Sequence, residues 1–187
     1  MRYVYDTEFI EDGTTIELIS IGVVREDGAE FYAVNRDAPW RRIARHAWLR
    51  DNVGRHLPMI HGDRRLQVSH RKNPLALDFD HPAMRSVGRI GTDLMTFFGD
   101  DSEVELWADY GAYDHVVLMQ IFGSMLDKPA GLPMFTNDLQ QLLTAVVQPA
   151  QPLPAEPSDS HNALSDAWHL LATIHAVLGT QAPVRTR

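Results

Sequence analysis

Residues 4–9 read Val-Tyr-Asp-Thr-Glu-Phe, and this stretch decides the fold because it places two carboxylates inside an otherwise strand-like run. Tyr3, Val4 and Tyr5 suit a pleated, half-buried surface, whereas Asp and Glu are disfavoured there unless their charge is compensated. Strand side chains alternate, so Asp6 and Glu8 project to one face. Taken alone, the pair reads first as an exposed strand end with two solvated acids, and the rest of the chain has to decide.

Outward from a first strand at 2–7, Glu11-Asp12-Gly13-Thr14 is turn chemistry leading into a second strand at 15–24. Glu26-Asp27-Gly28 makes another turn before a third strand at 29–34, so the chain opens as an antiparallel meander. From Trp40 the apolar residues Trp40, Ile43, Ala44, Ala47 and Trp48 recur at helical spacing, with arginines on the polar face. A long basic stretch follows, and long loops inside compact domains are usually functional or disordered. Helical patterning returns at 82–98, with Pro82 suited to a first turn. A fourth strand at 103–109 precedes helices at 113–126 and 137–147, a linker with four prolines at 148–157, and a last helix at 162–178 stopped by Gly179. This order predicts an α/β fold, a mixed sheet flanked by helices. A single domain over 1–179 with a flexible tail at 180–187 suits a length of 187 residues.

A hydrophobic content of 44% with 22% charged residues is that of a folded, soluble protein. No run reaches the roughly 18 apolar residues of a membrane span, and no basic-then-apolar leader opens the chain. The absence of cysteine excludes disulfides, thiolate metal sites and cysteine nucleophiles, and fits the cytoplasm. The net charge of −8 is segregated: Arg36 to Lys72 holds ten basic residues against three acids (+7), and the remainder holds seven against 22 (−15). Such a basic segment on an acidic chain is the footprint of a polyanion-binding surface. Arg41, Arg42 and Arg45 lie within about one helical turn and are its candidate phosphate contacts. His46, His56, His61 and His70 share the segment without the spacing of a zinc pair.

Further acids fall at informative places. Asp109 ends strand four and Asp114 opens the next helix, both candidates for a shared site. Ser158, Asp159 and Ser160 are candidate N-caps for the last helix, with Asp166 about one turn inside. His161 and Asp166 are five residues apart, about 140° of rotation within a helix, so they converge only if His161 precedes the helix proper. His169 and His175 read as packing or surface positions.

The Asp-Thr-Glu of strand one, the Tyr113-Asp114 pair and the His161-x4-Asp166 spacing, in this order, resemble the three motifs of the DEDDh 3′–5′ exonucleases. These form the RNase T-like branch of the RNase H-like superfamily, and within it the chain looks most like the mycobacterial exoribonuclease AS type. Many relatives carry Asn at the place of Asp109. The resemblance implies an RNase H-like mixed sheet with antiparallel strands one to three and further parallel strands. It implies Asp6, Glu8, Asp114 and Asp166 as metal ligands and His161 as general base, with Glu8 counted beside His161 among the catalytic groups. Two Mg²⁺ ions, with Mn²⁺ able to substitute, would neutralise carboxylates that otherwise repel one another, and this is how a strand tolerates Asp6 and Glu8. The implied reaction is hydrolysis at RNA 3′ ends, including 3′ overhangs of structured RNA, to nucleoside 5′-monophosphates. Phe9 is a candidate stacking surface for the terminal base. No membrane partner is implied, and a homodimer fits the family habit. A DNA exonuclease and a noncatalytic nucleic-acid-binding module on the same fold are the alternative readings.

Overall fold

The computed structural model describes residues 1–62, 65, 69, 71–124, 126–146 and 148–183. Asp63, Arg64 and His70 of the basic segment, and residues 184–187 of the predicted tail, lie outside the described residues. The meander forms as read: β1 (Arg2–Glu11), β2 (Ile16–Arg25) and β3 (Glu30–Asn35) pair antiparallel. The β1–β2 turn closes on Asp12, whose Oδ1 accepts from the Thr14 and Thr15 N–H groups at 3.1 and 2.8 Å. The chain continues through α1 (Trp40–Arg45), α2 (Ala47–Asn52), a 3₁₀ turn (Gly54–His56), β4 (Met84–Arg85), α3 (Val87–Phe98) and β5 (Glu105–Ala108). It ends with α4 (Ala112–Ile121), β6 (Asn137–Asp138), α5 (Leu139–Ala145) and α6 (Ala163–Leu178). The sheet order is β4-β3-β2-β1-β5-β6, with β4, β5 and β6 parallel to their neighbours.

Each sheet face is covered. Tyr3, Tyr5, Ile21, Val23 and Phe31 pack under α3 and α4 against Ile90, Leu94, Phe98, Val117 and Leu118. On the other face Val4 and Val24 meet Ala167, Leu171 and Ile174 of α6, while Ile10, Ile19 and Val34 meet Trp40, Ile43 and Leu49 of α1 and α2. β2 shifts register opposite Glu8 and Phe9: Glu8 pairs Ser20 but Phe9 pairs Leu18. The extra residue, Ile19, turns to the α1–α2 side, and the buried Asn35 amide donates to the Leu18 carbonyl at 3.0 Å.

Three predicted elements are corrected. The helix expected over 82–98 begins at Val87, with Ser86 as N-cap accepting from the Arg89 N–H; Met84 and Arg85 instead extend the sheet, where the Arg36 N–H donates to the Arg85 carbonyl at 2.8 Å. The helix from Trp40 breaks at His46, whose extended backbone starts α2 and whose Nδ1 accepts from the Leu49 N–H at 3.3 Å. Asn137 and Asp138 pair with β5 before Asp138 caps α5.

Gly22 fixes the placement of α6. It pairs with Asp6 across β1 and β2, and a Cβ there would lie 2.4 Å from both the Ala163 carbonyl and the Leu164 Cα. We expect Gly22→Ala to cost about 1–3 kcal/mol, the usual penalty of overpacking, because backbone rather than a pliant side chain must move. A denaturant midpoint equal to wild type would show that α6 can yield at no cost.

Candidate active site

The acids meet where the sheet stops pairing. β5 pairs β1 only from Arg2 to Val4, so the later residues of β1 have no β5 neighbour on that side. Asp114, in the first turn of α4, takes the place: its Oδ1 accepts from the Thr7 N–H at 2.9 Å and the Thr7 hydroxyl at 2.6 Å. It is 6% exposed. The alternative acid, Asp109 at the end of β5, accepts from the Gln140 amide at 2.8 Å and reaches the site through its charge. In open α/β sheets such a crevice beyond the strand ends is the usual ligand site.

From the other face α6 delivers Asp166. Asn162, not Ser158, Asp159 or Ser160, is the N-cap, with Oδ1 accepting from the Leu164 and Ser165 N–H groups. His161 therefore stands outside the helix, at φ +70°, and its N–H donates to Asp166 Oδ2 at 2.8 Å. This left-handed residue solves the spacing problem, bringing together two side chains that helical rotation would separate. Glu8, His161 and Asp166 each offer a ligand atom within 4.8 Å of the others. Asp6 and Asp114 are not part of that tight group, although Asp6 lies within electrostatic reach of Asp114, Glu8, Asp166 and Asp109.

Their protonation reflects the crowding. Burial, then the charges of Asp166 and Asp114, pushes the Glu8 carboxyl up to about 8. Burial raises Asp114 to about 6 against the opposing Thr7 bonds, and raises Asp166 to about 6 against the His161 N–H. Asp6 keeps some exposure, yet withdrawal from bulk water and the four neighbouring carboxylates hold it well above the ordinary range. None of the four pairs with Arg or Lys among the described residues. Carboxylates without an Arg or Lys partner among the described residues suit a hard divalent ion such as Mg²⁺, and the tight group adds the His161 imidazole to their oxygens.

The remaining predicted residues are placed differently. Phe9 stacks on Tyr113, ring centroids 5.8 Å apart and planes at 16°, so Tyr113, 60% exposed, covers one of its faces. Arg42 is engaged by Glu17 and by Asp12, leaving Arg41 and Arg45 as the exposed α1 guanidiniums without an ion pair among the described residues. Two aromatic neighbours went unassigned in the sequence: Tyr113, and Trp48, whose ring meets that of His161 edge to face. Trp48 reads as part of an apolar helical stripe only if the helix continues through His46. His175 packs, with its Nδ1 2.5 Å from the Thr180 hydroxyl, and His169 lies 3.7 Å from Glu156. No described helix is long and apolar enough to cross a membrane.

The sheet order, with acids converging at the open end of an inner strand, defines an RNase H-like α/β fold with a carboxylate-lined centre. No protein-family model matches the chain. It is 41% identical over 180 residues, 96% of this chain and 95% of the relative, to the 3′–5′ exoribonuclease of Mycobacterium tuberculosis strain ATCC 25618 / H37Rv, and to the same extent to that of strain CDC 1551 / Oshkosh. The chain belongs to this 3′–5′ exoribonuclease family.

Proposed function

We propose that the chain is a DEDDh-type 3′–5′ exoribonuclease that removes nucleoside 5′-monophosphates from RNA 3′ ends. The observation that carries this reading is the group of four buried or part-buried carboxylates without an Arg or Lys partner among the described residues, with the imidazole of His161 beside Glu8 and Asp166. Asp6, Glu8, Asp114 and Asp166 would hold two Mg²⁺ or Mn²⁺ ions. When bound, such ions neutralise charge on the transferring phosphoryl group and make water more acidic. His161 accepts the proton of the attacking water, Glu8 orients that water, and Asp166 secures the His161 main chain. The outer face of Tyr113, backed by Phe9, offers the terminal base a stacking surface.

The test is a gel of a 3′-extended RNA and its DNA counterpart, each with Mg²⁺, Mn²⁺ or chelator. Shortening of the RNA from its 3′ end, abolished by chelator, is the expected result. Degradation of DNA alone would make the protein a DNA exonuclease, and binding without shortening a noncatalytic module.

The α1 surface holds the RNA backbone through Arg41 and Arg45, with Arg42 already neutralised. Single-strand affinity falls with salt at about −0.7 per phosphate contact, so losing both guanidiniums flattens the slope by roughly 1.4. Fluorescence anisotropy on inactive protein reads this: Arg41→Gln/Arg45→Gln weakens all sequences alike, whereas Arg42→Gln changes the slope little. Identical slopes for wild type and the double variant would move the RNA elsewhere.

A further inference from the structure

His161 is held chiefly through its main chain. Its left-handed backbone persists only because the surroundings impose it, and its N–H is fixed by Asp166, yet neither constraint sets the rotamer of the ring. The ring contact comes from Trp48 of α2: centroids 4.8 Å apart, planes at 72°, an edge-to-face pair. Trp48 is 49% exposed, so core packing does not account for a large indole at this place. The segment carrying it is anchored independently, by the buried Leu49 and by the His46 cap, while His56 of the following 3₁₀ turn lies against the Ser160 backbone. An anchored element thus holds an aromatic ring against the His161 imidazole, whose nitrogen lies near the Glu8 and Asp166 carboxylates.

We propose that Trp48 is a positioning residue for His161, fixing the imidazole on a loop otherwise tied down through its backbone. The proposal rests on the exoribonuclease reading with His161 as base. It also gives the α1–α2 segment a task besides phosphate contact, that of setting the geometry of proton transfer.

The test compares wild type, Trp48→Ala and Trp48→Phe by steady-state kinetics on a short 3′-extended RNA, and by NMR of the His161 ring in metal-free protein. Trp48→Ala should lower kcat, by up to about a hundredfold for a displaced catalytic group, with KM little changed. Trp48→Phe preserves an edge-to-face partner and should recover most of the loss. In the metal-free protein the His161 ring resonances, displaced by the aromatic ring in wild type and in Trp48→Phe, should return toward ordinary positions in Trp48→Ala. A raised KM with kcat intact would overturn the proposal and make Trp48 an RNA contact. Unmoved His161 resonances in Trp48→Ala, or kinetics unchanged in both variants, would overturn it outright. Wild-type protein without turnover would instead sink the exoribonuclease reading, and the resonances would then decide whether Trp48 holds the imidazole.

Discussion

Asp6→Asn, Glu8→Gln, Asp114→Asn and Asp166→Asn should each leave the protein folded while reducing nucleotide release by about a thousandfold or more. Each substitution keeps the shape of the side chain and removes one negative charge from a donor set with no Arg or Lys partner among the described residues. A metal centre supplies several kcal/mol of transition-state stabilisation, and each 1.36 kcal/mol lost is tenfold in rate. Asp109→Asn is the control. Its carboxylate accepts from Gln140, and an amide oxygen can still do so, leaving an effect of roughly tenfold or less through the changed charge. Full activity in Asp114→Asn with loss in Asp109→Asn would transfer the ligand role to Asp109. In chelator, Glu8→Gln should melt above wild type at pH 8, because a buried charge has been deleted.

Metal-free protein should lose stability as the pH rises from 5 to 8, and Mg²⁺ should restore it. The sign follows from proton linkage. The folded-state carboxyl of Glu8 is raised from 4.5 to about 8, so its contribution is fully present below 4.5 and is lost as the pH climbs through about 8. Asp114 and Asp166 lose theirs between 3.8 and about 6. Mg²⁺ competes with the same protons, so its effect is small at pH 5 and large at pH 8. At a hundredfold excess over Kd, binding adds about 2.7 kcal/mol, which is roughly 5–10 °C in Tm for a chain of this size. Differential scanning calorimetry of wild type against Glu8→Gln isolates the site from other titrations. A Tm indifferent to saturating Mg²⁺ at pH 8 would count decisively against a metal centre.

The strands and the acids were legible in the sequence because both obey local rules. Alternation places Asp6 beside Glu8, and turn chemistry at Asp12 and Gly28 closes the meander. What escaped depends on distant partners. Two-residue strands such as β4 and β6 are too short to show a period, and they exist because β3 and β5 present edges that need hydrogen-bond partners. The break at His46 involves neither Gly nor Pro; a histidine nitrogen acts as the cap. Arg42 looks like one of three equivalent arginines until folding brings Asp12 and Glu17 to it. The left-handed backbone of His161 has no sequence signature either, although the geometric need for it follows from the spacing to Asp166.

Helix α6 comes after every other described element, yet it covers the face of β1 that carries Val4 and supplies Asp166. On the ribosome the amino-terminal hairpin emerges early, with that face bare and its two acids open to water. Thr7 and Asp114 can meet once α4 is made, but the site stays one carboxylate and one imidazole short until residue 166 has been synthesised and docked over Gly22. On the proposed reading, nuclease activity therefore waits for α6, the last of the described elements, to dock over Gly22.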